Sequence, residues 1–192
     1  MKNFKRILLC SVILGCFFSV NTGIVQCEEV DKGKIPEKFL DKSVKELPSG
    51  IKIWDEQEAM AALNDSEAKV LWVDTRPNLF FKAGTLKKAV LLVYHKNEQL
   101  LDTDKGATSF LTKESLAEAM EKEGAEKVAY FCQGPKCHRS YNAALHSVST
   151  WNLSADQVIW FRAGYPNLLK YIQSDQKLKR KMNKYFQGAV VN

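Results

Sequence analysis

Proline and glycine are sparse in this 192-residue chain, at 5 and 10, and no internal repeat or low-complexity tract interrupts it. Collagen-like, linker-like and solenoid architectures are thereby excluded. Cysteine is equally scarce: five residues, too few and too unevenly placed for a disulfide-framework mini-protein. No apolar run reaches the ~20 residues that a membrane-spanning helix needs. The apolar or small stretch from Ile7 to Val20 stops at fourteen. Acidic residues are missing from the first 27 positions. What the chain does have is 45% hydrophobic and 26% charged residues, enough to fill one core of ordinary size. That apolar share also excludes a wholly disordered chain.

The opening segment reads as an address. Lys2, Lys5 and Arg6 precede the apolar run, and Val25 and Cys27 stand at the two small-residue positions before the polar Glu28-Glu29. This pattern predicts a secretory signal over residues 1–27 and an exported, periplasmic or extracytoplasmic protein. Two alternatives stay open. One is an uncleaved anchor. The other is a lipoprotein carrying its lipid on Cys16, in the lipobox-like Ile13-Leu14-Gly15-Cys16. Removal of residues 1–27 takes three of the 28 basic side chains and leaves 25 against 22 acidic, a net +3. This is not the balance of a nucleic-acid binder. It also takes Cys10, Cys16 and Cys27, so the mature chain keeps Cys132 and Cys137 alone and has no transmembrane span.

Residues 28–48, rich in Lys and Glu, read as an exposed lead-in. Strands and helices then alternate. Ile51 to Trp54 predicts a strand, and Asp55 with Glu58 gives the spacing of a capping box before a helix. The unbroken apolar runs Val70 to Val73 and Ala89 to Val93 predict strands buried on both faces. Between them Pro77 starts a short helix that Gly84 closes. Residues 94–109 read as a long polar connection. Thr112 caps a helix that ends at Gly124. Val128 to Phe131 and Val158 to Phe161 are further strands, with helices over 140–149 and 166–186. The last of these carries a basic face of Lys170, Lys177, Lys179, Arg180, Lys181 and Lys184, read as a solvated surface. The alternation implies an α/β fold with a mostly parallel sheet covered by helices on both faces. Ligands bind beyond the carboxyl ends of such strands. Two of those ends are polar: Asp74-Thr75-Arg76 and Cys132-Gln133-Gly134.

Cys132 ends a strand, a glycine-containing loop turns, and a helix follows. Successive backbone N–H groups in such a loop form an anion-binding nest, and the helix behind it presents its positive pole. A thiol held there has a lowered pKa and is a thiolate at neutral pH. Lys136, His138 and Arg139 add positive charge, Gly134 lets the backbone come close, and Pro135 stiffens the turn. The thiolate has the reactivity to displace the outer sulfur of an anionic donor, becoming a persulfide that a second nucleophile unloads. Cys137 is a candidate second redox cysteine, able to resolve a persulfide or to close a disulfide with Cys132. Zinc is disfavoured, because no second ligand pair stands at a structural-site spacing. His95 and His146 read as surface or packing residues, and Trp72 and Trp160 as core.

Three blocks now resemble one family. VLWVDTRPNLFFKAGTLKKAVLL, VAYFCQGPKCHRSYNAALHSV and VIWFRAGYPNLLKY together are similar to the single-domain rhodanese-like sulfurtransferases, over roughly residues 50–173. The resemblance implies a rhodanese-like fold with a central, mostly parallel five-stranded sheet over residues 49–173; beyond it, residues 174–192 read from their lysines as a basic C-terminal helical extension. It implies that Cys132 carries the sulfur and that Gln133, Gly134, Lys136, Cys137, His138 and Arg139 shape the substrate loop. Asp74 and Arg76 would support that loop without reacting. A small sulfur-containing anion would be the donor and a thiol the acceptor, with no cofactor or metal, and the chain would act as a monomer. The loop departs from the family form. Six residues separate Cys132 from Arg139, about two more than usual, and five is the spacing in the related cell-cycle phosphatases. A dithiol redox protein, a non-catalytic binding module and, more distantly, an oxyanion phosphatase or arsenate-reducing enzyme remain as rivals.

Overall fold

The computed structural model describes residues 34–95 and 109–188. The described residues hold seven strands, five of them at the expected apolar runs and two, β3 and β7, not expected: β1 (Lys52–Trp54), β2 (Val70–Asp74), β3 (Thr85–Leu86), β4 (Ala89–Leu91), β5 (Lys127–Phe131), β6 (Val158–Phe161) and β7 (Phe186–Gln187). Seven helices connect or follow them: α1 (Glu56–Asn64), α2 (Asn78–Ala83), α3 (Lys113–Glu123), α4 (His138–Ser149), α5 (Gly164–Ser174), α6 (Gln176–Lys179) and α7 (Met182–Tyr185). Five strands form one sheet in the order β1-β6-β5-β2-β4, with every pairing parallel. The α/β expectation of a five-stranded parallel sheet therefore holds.

Side-chain alternation along these strands divides the core in two. Val128 and Tyr130 of β5 and Val158 and Trp160 of β6 join Leu116 of α3 and Tyr141, Ala143, Ala144 and Leu145 of α4. Their neighbours Ala129, Phe131, Ile159 and Phe161 face the other way, onto Ala59 and Met60 of α1 and Leu168 and Ile172 of α5. Both faces are dry, which is why the strands read as continuous apolar runs. Trp72 and Trp160 lie in this interior, at 2% and 0% exposure. Trp160 packs edge-on to Tyr141 at 5.1 Å, and its indole N–H donates to Ser140 Oγ. This contact pins the first turn of α4 to the central strands.

The caps follow the sequence. The Asp55 backbone N–H donates to Glu58 Oε2 at 3.0 Å, the reciprocal half of a capping box. Thr112 Oγ1 accepts from the Ser115 N–H at 3.1 Å, and Gly124 ends α3 in the left-handed conformation. Thr112→Ala removes this cap and is expected to lower stability by about 1 kcal/mol. A thermal unfolding midpoint indistinguishable from the parent would contradict that.

Three expectations need correction or extension. The helix expected over 166–186 is not continuous. Asp175 takes an extended conformation (φ −103°, ψ 119°), and its carboxylate accepts from the Lys177 and Leu178 N–H groups, so it stops α5 and caps α6. The supposed helical extension ends instead in β7, antiparallel to β3, with Tyr185 and Phe186 buried. These two aromatic side chains find a place in the core that a solvated basic helix would deny them. Second, the lead-in is only partly exposed. Phe39 and Leu47 are buried, and a short 3-10 turn spans Glu37–Leu40. Third, α4 begins at His138, two residues before the expected Ser140, because Cys137 sits at the N-cap. The signal over 1–27 and most of the polar connection over 94–109 lie outside the described residues.

Candidate active site

The site grows from the carboxyl ends of β5, β2 and β6. Thr75, just past β2, donates both its backbone N–H and its Oγ1 hydroxyl to the Phe131 carbonyl, at 3.1 and 2.8 Å. The last peptide before Cys132 is therefore fixed from the neighbouring strand. Cys132 follows at 1% exposure. Its carbonyl accepts from the Tyr165 N–H at 3.0 Å, so the start of α5 holds the loop from the third strand end.

Two glycines make this meeting possible. Gly134 has φ +135° and Gly164 has φ +68°, both in the region that side chains disfavour. A Cβ on Gly164 would lie 2.5 Å from the Cys132 carbonyl oxygen and 2.7 Å from the Gly134 nitrogen. The main chain of α5 thus lies directly against the cysteine loop. Within the loop, the Cys137 N–H donates to the Gly134 carbonyl at 2.9 Å. One amide of the expected anion nest is therefore used inside the turn.

Cys132 and Cys137 are joined by a disulfide, with their Cα atoms 6.1 Å apart. Of the two, Cys132 is buried and Cys137 is half-exposed. Cys137 also holds the N-cap position of α4, at the positive end of that helix. Gln133 and Lys136 are exposed, whereas Gly134 is buried. His138 and Arg139 are half-buried in the first turn of α4. Arg139 Nη1 donates to the Tyr94 carbonyl at 2.7 Å, which ties α4 to the chain beyond β4. Tyr94 Oη lies 3.2 Å from His146 Nδ1, and burial pushes the Tyr94 phenol up to about 12. His146 therefore packs, as its sequence position suggested.

Asp74 and Arg76 lie beside this loop as a buried pair. The Arg76 Nε and Nη2 groups donate to the Asp74 carboxylate at 2.6 to 3.1 Å, in a two-point contact. Arg76 also donates to the Gly84 carbonyl, and Thr85 Oγ1 donates to Asp74 Oδ2. The guanidinium then stacks on the Tyr165 ring, 4.5 Å from its centroid. Tyr165 is the residue whose N–H holds the Cys132 carbonyl. The pair therefore reaches the cysteine through one aromatic side chain. The Tyr165 hydroxyl is buried without a hydrogen-bond partner, and burial, despite the nearby Arg76 charge, raises its pKa.

The strand–cysteine loop–helix unit, braced by β2 and α5, has a family to match it. The rhodanese-like domain family matches residues 55–174. The chain belongs to the rhodanese-like family. This rhodanese-like chain also resembles three solved structures at low identity. BH2092 protein from Bacillus halodurans is 18% identical, covering 71% of this chain and 77% of that one, with a TM-score of 0.42. The As–Sb reductase from Leishmania major is 14% identical, covering 65% and 80%, with a TM-score of 0.46. Ygr203w from Saccharomyces cerevisiae, a homolog of single-domain rhodanese and of the Cdc25 phosphatase catalytic domain, is 19% identical, covering 72% and 88%, with a TM-score of 0.47. No curated protein matches the chain. A rhodanese-like domain fits a sulfurtransferase-type enzyme in the broad sense.

Among the described residues, no cluster of three or more His, Cys, Asp or Glu side chains is placed to hold a metal ion. No described helix is long and apolar enough to cross a membrane. Sequence reasoning missed Thr75, Gly164, Tyr165, Thr85 and Arg162 as parts of the site and its frame. Gly164 and Tyr165 were legible only as a glycine-containing turn after the last strand. Their contact with the cysteine loop joins residues some thirty positions apart, and no local pattern encodes it.

Proposed function

We propose that this chain is an exported rhodanese-like sulfurtransferase in which Cys132 carries a sulfane sulfur. The reduced Cys132 thiolate attacks the outer sulfur of a small anionic donor such as thiosulfate. A Cys132 persulfide forms, the remainder of the donor leaves, and a thiol or other nucleophile unloads the sulfur. The observation that carries this reading is the position of Cys132. It stands at the carboxyl end of a central parallel strand, at the start of a tight loop that leads into α4, with its carbonyl held by the first turn of α5. Exposed Lys136 and half-buried Arg139 supply positive charge beside the loop, with His138 next to Arg139 in the first turn of α4. Asp74 and Arg76 act through Tyr165 and do not touch the donor. Export rests on residues 1–27, and the presence of a disulfide suits an oxidising compartment.

The disulfide itself favours one second reading, a dithiol redox protein that cycles Cys132 and Cys137 between the bonded and reduced forms. Intact-mass analysis separates the two. Cys137→Ser, which cannot close the disulfide, is expected to gain about 32 Da on treatment with thiosulfate or a polysulfide, and to lose that gain when Cys132 is also Ser. No added sulfur on fully reduced Cys137→Ser with any sulfane donor removes the sulfurtransferase reading.

A further inference from the structure

The two sulfurs of the loop are unequal. Cys132 is 1% exposed, while Cys137 is half-exposed at the mouth of α4. Their bond shows that Cys137 Sγ reaches Cys132 Sγ, and the Cys137 N–H bond to Gly134 holds the turn that brings it there. Cys137 Sγ thus has within bonding reach the inner sulfur of any persulfide on Cys132. We infer that Cys137 is a catalytic residue that resolves the Cys132 persulfide, so that the sulfur leaves as hydrosulfide and the enzyme ends each turnover as the Cys132–Cys137 disulfide. The inference rests on the persulfide reading above and specifies its product.

The steps balance as a two-electron reduction. In the disulfide form, an external thiolate attacks Cys137 Sγ, the sulfur of the less buried cysteine. The S–S bond breaks, Cys132 leaves as a thiolate, and a mixed disulfide forms on Cys137. A second external thiolate attacks the outer sulfur of that mixed disulfide, yielding a free disulfide and the Cys137 thiolate. Cys132 then takes the sulfane sulfur from the donor, whose remainder leaves with the electron pair of the broken bond. Finally the Cys137 thiolate attacks Cys132 Sγ. The Cys132–sulfane bond breaks, the terminal sulfur departs with its electrons as hydrosulfide, and the disulfide is restored. Over the cycle one sulfane sulfur is reduced and two thiols are oxidised to a disulfide. The protein supplies no net electrons.

The substrate class of the oxidised enzyme is thus a thiol that can approach a helix N-terminus, and its point of attack is Cys137. Burial of Cys132 gives the loop its direction. The outside thiol meets one sulfur, and the other is released as the nucleophile.

A single-turnover experiment tests this. The chain is reduced, freed of reductant without oxygen, and given excess thiosulfate or polysulfide with no thiol present. The expected result is one hydrosulfide released per chain, together with a Cys132–Cys137 disulfide, about 2 Da lighter than the dithiol, in the peptide map. Cys137→Ser is expected to release no hydrosulfide and to keep the added ~32 Da on Cys132. A parent protein that keeps a stable persulfide on either cysteine beside a free thiol on the other overturns the inference, as does hydrosulfide release undiminished in Cys137→Ser. If Cys137→Ser takes up no sulfur at all, the persulfide reading itself fails, and that outcome is distinct from the other two.

Discussion

Replacing Gly164 with alanine is expected to abolish sulfur loading on Cys132, read in the Cys137→Ser background where the added sulfur is retained, and to destabilise the fold by about 3 kcal/mol, the sum of a left-handed backbone penalty and overpacking. The added Cβ would stand 2.5 Å from the Cys132 carbonyl oxygen, 2.7 Å from the Gly134 nitrogen and 2.9 Å from the Gly134 Cα. All three are backbone atoms, so no flexible side chain can swing aside. Relief requires either that α5 retreat or that the cysteine loop shift, and either one breaks the Tyr165 N–H bond to Cys132. Gly134→Ala is the internal comparison. Its Cβ would meet only Ala163 O at 3.6 Å and Asn167 Nδ2 at 3.8 Å, ordinary contacts, so its cost comes from φ +135° alone. Urea unfolding and mass-detected sulfur loading measure both effects. A Gly164→Ala protein with parental stability and loading would show that the close approach of α5 is not what positions the cysteine.

Arg162→Met is expected to cost roughly 3 kcal/mol, the low end of the penalty for breaking a buried ion pair, because Lys45 Nζ still reaches Asp55 Oδ2 at 3.1 Å. Arg162 is 1% exposed at the end of β6, and its Nε and Nη2 groups donate to the Asp55 carboxylate at 3.0 and 2.5 Å. Its Nη1 donates to the carbonyls of Phe39, Asp41 and Val44. One side chain therefore fastens the 37–44 segment to the sheet through three of its carbonyls. Asp55→Asn combined with Arg162→Met is expected to be more stable than Arg162→Met alone, because the buried carboxylate left with the exposed Lys45 as its one charged partner is gone.

The pH dependence has a definite sign. Burial works against ionisation of Asp55, but hydrogen bonds from Arg162 and Lys45 outweigh it and hold the carboxyl below its ordinary value. A depressed carboxylate contributes stability above the unfolded value of about 3.9, and that contribution disappears as pH falls through the lower folded value. The gap between parent and Arg162→Met is therefore expected to narrow from pH 7 toward pH 3 in denaturant titrations. A gap that is constant with pH would place the cost of the substitution outside this ion pair.

Much of the frame was readable because it depends on local rules. Unbroken apolar runs of four and five residues, Val70 to Val73 and Ala89 to Val93, marked β2 and β4, and the thiol after Val128–Phe131 marked a strand end. Thr112 and Gly124 bracket α3 because capping chemistry acts within three or four residues. Where the reading stopped short, long-range packing had overruled local pattern. Lysines over 177–184 suggested a solvated helix. Yet Tyr185 and Phe186 carry that segment back into the core, and Asp175 breaks the helix so that the chain can turn. Phe39 and Leu47 likewise bury a lead-in whose charges suggested exposure.

The sequence by itself determined the family, the parallel sheet, and the residue at the centre of the proposed chemistry, because hydrophobic period, caps and the cysteine motif are written in neighbouring residues. Only the tertiary structure decided how that cysteine is held. Thr75 from the end of β2, Gly164 and Tyr165 from α5 after β6, and Arg76 behind Tyr165 converge on the loop from the two neighbouring strand ends. It also decided that Cys132 lies buried and bonded to a more accessible Cys137. Burial and backbone approach are properties of a packed chain, set by which distant segments exclude water together, and no window of adjacent residues contains them.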